Sequence, residues 1–261
     1  MENKFKVQYG NEKNLDARIV LHRLYGTRKY KWQRWVFDHF DLPRSAKILE
    51  LGCGQGNLWS ENSDRIPKDW DIVLSDFSEG MVEDAKKNLS GSSHTLNFSV
   101  IDAQSIPYPD QCFDGVIANH MLYHVPDRKK ALSEIRRVLK PNGYLYATTV
   151  SKNHMKELKA LENKFGLAPN TIFSGGSFTL ENGKKQLDEW FEKIHSYRYK
   201  NGLKVTNAKH LIDYILSMEE SVDSEKISKL RAFAEQEIAK KGFILINGHQ
   251  GIFVAQKSPR K

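Results

Sequence analysis

The apolar residues of this chain recur in two rhythms. From residue 14 to 41 the spacing is helical: Ile19, Val20 and Leu24, then Trp32, Trp35, Val36 and Phe40. A break is expected near Gly26-Thr27 and a stop at Pro43. From Lys47 onward short apolar runs alternate with amphipathic stretches. Strands are predicted over 47–51, 71–75, 96–101, 113–118 and 144–150. Between them lie helical patterns: one capped by Ser78 with Met81, Val82 and Ala85 on a face, and one capped by Asp127 with Ala131, Leu132, Ile135, Val138 and Leu139 inward. The segment Lys140-Pro141-Asn142-Gly143 is expected to stop the latter. Strand and helix in turn predict a doubly wound, mostly parallel α/β sheet.

Past residue 151 the pattern loosens. Helices are expected over 153–165, 207–219 and 224–241, with a loop or small hairpin over 170–184. A sixth strand fits 190–199. GIFVAQ at 251–256 fits a last strand after a turn at Asn247-Gly248. The expected organisation is an N-terminal helical cap (1–45), a Rossmann-like core (46–152), an insertion covering the active site (153–245) and a returning strand (246–261).

The first strand leads into Glu50-Leu51-Gly52-Cys53-Gly54-Gln55-Gly56. In an open α/β sheet this position, beyond the carboxyl end of a strand, is where ligands bind. Glycine permits a tight turn and close approach of a ligand to backbone. A dinucleotide loop reads G-x-G-x-x-G; here the spacing is G-x-G-x-G behind an acid, which disfavours a pyrophosphate and suits a cationic ammonium group. Asp76, 20 residues after Gly56, stands where ribose hydroxyls are usually held, and Asp102 ends the third strand, where it could meet an adenine amine.

These motifs, with FDGVIANHMLYHV and LKPNGYL following in order, resemble the class I S-adenosylmethionine-dependent methyltransferases, and in particular the small-molecule group with ubiquinone/menaquinone-biosynthesis-type enzymes. The resemblance covers roughly residues 46–150. It implies a seven-stranded sheet of order 3-2-1-4-5-7-6 with strand 7 antiparallel. It implies that Gly52, Cys53, Gly54 and Gly56 bring backbone against the methionine and ribose parts of S-adenosylmethionine, giving S-adenosylhomocysteine as product. Glu50 would organise the loop and reach the amino group through water. Asp76 would hold the ribose, Phe77 and Met81 would pack near the adenine, and Asp102 and Ala103 would meet its edge. Asn119 would lie near the reactive methyl group. Tyr9 and Arg28, from a segment that often closes over the cofactor in such enzymes, could meet its carboxylate, or could simply pack and be solvated.

His120, Tyr123 and His124 follow the fourth strand, where an acceptor should face the methyl group. Each could orient a substrate or accept a proton, or shape the pocket without chemistry. No third ligand accompanies the two histidines, so no metal is expected. Phe173, Phe178, Trp190, Phe191, Tyr197 and Tyr199 could line an acceptor pocket or form an ordinary core.

Composition narrows the classes. At 261 residues, 39% hydrophobic and 28% charged, the chain is globular, without a transmembrane or signal-like run. Cys53 and Cys112 form no CxxC pair, which fits a reduced, cytoplasmic protein without structural zinc. The net charge of +8 lies on the flanks, while residues 46–151 are mildly acidic. Basic flanks keep an RNA methyltransferase open as an alternative, although Asn119-His120-Met121-Leu122 stands where amino-methylating enzymes of nucleic acid bases carry a Pro-Pro motif. A non-catalytic protein that binds the cofactor or its product is a second alternative. The leading expectation is transfer of a methyl group to an O, N or C nucleophile of a small-molecule acceptor.

Overall fold

The computed structural model describes residues 20–167, 178–217 and 223–258. Tyr9, Phe173, the first turns of the helix expected from residue 14, and most of the loop expected over 170–184 lie outside them. Among the described residues the chain forms two compact units. One comprises 30–152, 178–199 and 250–258; the other comprises 20–29, 153–167, 200–217 and 223–249.

Seven strands make one sheet of order β3-β2-β1-β4-β5-β7-β6. They are β1 (Lys47–Leu51), β2 (Asp71–Asp76), β3 (Leu96–Val100), β4 (Phe113–Asn119), β5 (Leu139–Val150), β6 (Lys193–Val205) and β7 (Ile244–Gln256). β1 pairs in parallel with both β2 and β4. β5 runs parallel to β4, whereas β7 lies antiparallel to β5, from Tyr144↔Gln256 to Val150↔Gln250. The implied order and the antiparallel last strand are both present.

The central strands are buried on both faces, which is why they read as continuous apolar runs. Their residues divide by alternation. Leu49, Leu51, Val116, Ala118, Leu145 and Ala147 join one core, while Ile48, Ile72, Leu74, Ile117 and Tyr146 join the other. Edge strand β3 is only half-buried. The helices of this unit are α1 (Trp32–Phe37), α2 (Asn57–Ser60), α3 (Glu79–Asn88), α4 (Arg128–Val138) and α6 (Gly183–Leu187). Ser78 caps α3 by accepting the Met81 N–H, and Asp127 caps α4 by accepting that of Lys130.

The second unit holds α5 (Lys156–Lys164), α7 (Ala208–Leu216) and α8 (Ser224–Lys241). Leu158, Leu211, Ile212, Ile215, Leu230 and Ala234 build its core, to which helical residues 20–25 contribute Leu21. α8 ends at Gly242 in the left-handed region (φ 81°), a conformation that suits glycine at a helix C-terminus.

Three local expectations change. Asn247-Gly248 is not a turn: β7 runs straight through it. Asn247 is held in extended backbone because Glu157 accepts both its N–H and its side-chain amide. The sixth strand is shifted toward the C-terminus, because the chain folds into α6 and a following turn through Trp190 before β6 begins. α4 does stop before Lys140-Pro141-Asn142-Gly143, at Val138, but that tetrapeptide lies inside β5. Leu139 already pairs with Phe113, and the register shifts before Gly115↔Tyr144, with Asn142 at φ 64°.

Candidate active site

β1 and β2 end side by side, and the chain leaves β1 through three glycines in the left-handed region: Gly52 (φ 70°), Gly54 (φ 54°) and Gly56 (φ 77°). Two of them are also sterically required. A Cβ on Gly52 would stand 2.7 Å from Cβ of Met121, and one on Gly56 would stand 2.7 Å from a methyl carbon of Leu89. Gly54 differs. Nothing lies within 4 Å of where its Cβ would be, so the turn opens there onto free space.

Asp76 clasps this turn. One carboxylate oxygen accepts the Gly54 N–H at 3.0 Å and the other accepts the Ser78 N–H at 2.9 Å. Desolvation raises its pKa above the usual carboxylate value, and the backbone N–H donors act against that rise. Each oxygen retains a lone pair for a further donor. Pairing of Asp76 with Val100, and the Ile101 N–H donating to the Asp76 carbonyl, bring Asp102 next to it at the sheet edge. Asp102 accepts from the backbone and side-chain N–H groups of Gln104. Ala103 beside it is buried. Phe77 is 69% exposed and Met81 half-buried at the start of α3.

Glu50 lies one residue before the end of β1, on the face shared with Ile48, and is fully buried. Its Oε2 accepts the indole N–H of Trp59 at 2.5 Å, while Oε1 has no partner. Burial pushes its pKa up to about 8; the Trp59 bond opposes this, and the Asp76 charge adds to it. Glu50 thus organises the loop from beneath, through α2. Burial holds the Cys53 thiol far above its ordinary range, so it is no nucleophile; its N–H donates to the Ser75 carbonyl.

On the other side of β1, Asn119 ends β4. Its Oδ1 accepts the Thr148 hydroxyl at 2.6 Å, and its amide donates to Gln33 at 3.4 Å. His120 follows in the left-handed region (φ 55°), its N–H donating to Thr148 Oγ1 at 2.8 Å. Its ring lies 5.2 Å from that of Trp32 and 6.2 Å from that of Tyr123, which packs 4.4 Å from His124. His124 closes a single 3-10 turn, Leu122–His124, steadied by Arg128 donating to the Leu122 carbonyl.

Arg28 lies in the second unit, where its backbone N–H donates to Asn201. Among the expected aromatics, Phe178 and Phe191 are buried in the core with Leu187 and Phe253, and Trp190 packs partly buried against it. Tyr199 instead packs against Trp32 and Trp35. Trp59, Gln33 and Thr148 read in the sequence as ordinary helix and strand residues, and Trp32 only as part of a helical apolar face. Among the described residues no group of three or more His, Cys, Asp or Glu is arranged to hold a metal ion, and no helix is long and apolar enough to cross a membrane.

A seven-stranded sheet of this order, with a glycine turn clasped by the acid of the next strand, defines a class. Residues 49–147 match the methyltransferase domain family. Its relatives are more particular. It is 28% identical over 136 residues to the ubiquinone/menaquinone biosynthesis C-methyltransferase UbiE of Pectobacterium atrosepticum, covering 51% of this chain and 54% of that one. It is 30% identical over 142 residues to UbiE of Pasteurella multocida, covering 53% of each. The chain therefore spans about half the length of these curated relatives. The fold extends further: the YcgJ protein of Bacillus subtilis covers 87% of this chain and 98% of its own, at TM-score 0.62 and 14% identity. The [4+2]-cyclase SpnF shares the fold too, covering 90% of this chain and 87% of its own, at TM-score 0.56 and 20% identity. One fold thus hosts different chemistries, and the reaction has to be argued from the site.

Proposed function

We propose that this protein transfers the methyl group of S-adenosylmethionine to a small-molecule acceptor in the cytoplasm. The observation that carries the reading is the clasp between Asp76 and the open glycine turn. The residues present fit the cofactor. The free space at Gly54 admits a ligand against backbone, and the Asp76 carboxylate can accept two ribose hydroxyls. Bound there, S-adenosylmethionine would supply an electrophilic methyl carbon on its sulfonium.

The chain's own task is then mostly alignment. Asp76, Phe77, Met81, Asp102 and Ala103 hold the nucleoside end, and Gly52 and Asn119 flank the methionine end. His120, with Tyr123 and His124 behind it, faces the acceptor, and its imidazole can take the acceptor's proton where the nucleophile carries one. Similarity to the UbiE enzymes supports a small organic acceptor over RNA.

Calorimetric titration with S-adenosylhomocysteine tests the site. Asp76→Ala removes two charge-assisted hydrogen bonds of about 1.5–3 kcal/mol each, so affinity should drop by about 100-fold or more. Unchanged affinity would overturn the assignment. Incubating the wild-type protein with methyl-labelled cofactor and metabolite extracts then identifies the acceptor.

A further inference from the structure

We propose that Thr148 is a positioning residue whose hydroxyl sets the geometry of both Asn119 and His120. The inference rests on the function proposed above for what those two residues do, but not for the geometry itself. Thr148 is fully buried on β5 and pairs directly with Asn119, the last residue of β4. Paired residues of neighbouring strands present their side chains to the same face, so the hydroxyl lies where β4 gives way to the turn. A hydroxyl has one proton to donate and lone pairs to accept with, and Thr148 uses both capacities. It donates to Asn119 Oδ1 at 2.6 Å and accepts the His120 N–H at 2.8 Å.

Each bond fixes a choice the backbone alone leaves open. Donation to Oδ1 settles which way the Asn119 amide faces, and its NH2 then points to Gln33. Acceptance of the His120 N–H holds that residue at φ 55°, a conformation that a residue bearing a side chain adopts only where its surroundings enforce it. The ladder to β5 ends at Thr148, and there the side-chain hydroxyl accepts that N–H. The left-handed turn in turn swings the imidazole toward Trp32, at 5.2 Å between ring centres, and Tyr123. Of the four residues with side chains in the left-handed region among the described residues (Gln111, His120, Asn142 and Met155), His120 alone follows the carboxyl end of a parallel strand beside the glycine turn. A valine would fill the same volume on β5 and provide neither bond.

The test needs neither an acceptor nor turnover. The imidazole Cε1–Hε1 signal of His120, assigned through His120→Asn, is followed by NMR together with its nuclear Overhauser contact to the Trp32 indole. In Thr148→Val the contact should weaken at least threefold and the signal should move. In Thr148→Ser, which keeps the hydroxyl, both should return toward wild type, a rescue that loss of packing alone would not give. A Val variant with the wild-type signal and contact overturns the proposal. If the Val variant does not fold, the His120 amide of the wild-type protein decides. Held by the hydroxyl, it should exchange with deuterium at least tenfold more slowly than an open amide, and exchange at the open rate overturns the proposal. S-adenosylhomocysteine titration of the same wild-type sample reports on the cofactor site separately, so its failure would strike the function and not this geometry.

Discussion

Glu50 contributes stability that is lost as pH rises, in a window where most proteins are near their optimum. Its carboxyl is fully buried, with one oxygen bonded to Trp59 and the other without a partner. In the unfolded chain it ionises near its ordinary value of 4.5; in the folded protein burial delays this to about 8. Between those values the folded state holds a proton that the unfolded state has lost. The contribution is complete below about pH 4.5 and is lost progressively until the folded group ionises. At ~1.4 kcal/mol for each tenfold change, the loss comes to ~5 kcal/mol across the window. Asp76 titrates in the same sense, while carboxylates held low by ion pairs, such as Glu134, work in the opposite one. Glu50→Gln isolates the one group. Its amide keeps an oxygen for the Trp59 N–H but cannot ionise. Urea denaturation of both proteins should therefore show the variant gaining on wild type by about 1 kcal/mol per pH unit between about 5 and 8, then levelling off. A difference that is flat with pH would mean that Glu50 is ionised in the folded protein, and the buried, half-partnered carboxyl would have to be abandoned.

The glycines should separate fold from ligand. Gly52→Ala drives a methyl into Met121, so its thermal midpoint should fall by several degrees. Gly54→Ala meets no atom, so only the left-handed backbone resists it, at about 1–2 kcal/mol, yet S-adenosylhomocysteine affinity should drop at least tenfold; equal affinity would remove Gly54 from the site. Lys257 is buried and its ammonium donates to the Arg136 and Leu139 carbonyls at the end of α4, where the helix dipole favours a cation. Lys257→Met should cost about 2–3 kcal/mol and lower the thermal midpoint by roughly 4–10 °C, and a midpoint within a degree of wild type would refute the capping role.

What was legible in the sequence is what local pattern determines. Continuous apolar runs such as ILEL mark strands buried on both faces, and the glycines with Asp76 mark the strand ends that meet a ligand. Caps at Ser78 and Asp127 are written within a few residues of the bonds they make. The site's supports are written elsewhere. The amide of Asn119 is fixed by Thr148 and Gln33, 29 and 86 residues away, and nothing in a strand residue or an exposed-looking helix announces that it will be the partner. Asn247-Gly248 fails for the same reason: its local preference for a turn is strong, but Glu157, 90 residues earlier, takes its N–H and amide and keeps the strand straight. Even Glu50, only nine residues from Trp59, carried no sign of which way its carboxyl would face. It ended beneath the glycine turn and not in the open space above it, so its negative charge is available to a cationic ligand only once the proton is lost. Occupancy and the protonation of Glu50 are thermodynamically linked: a bound cation must lower the pH at which Glu50 ionises, to the same extent that ionised Glu50 strengthens binding.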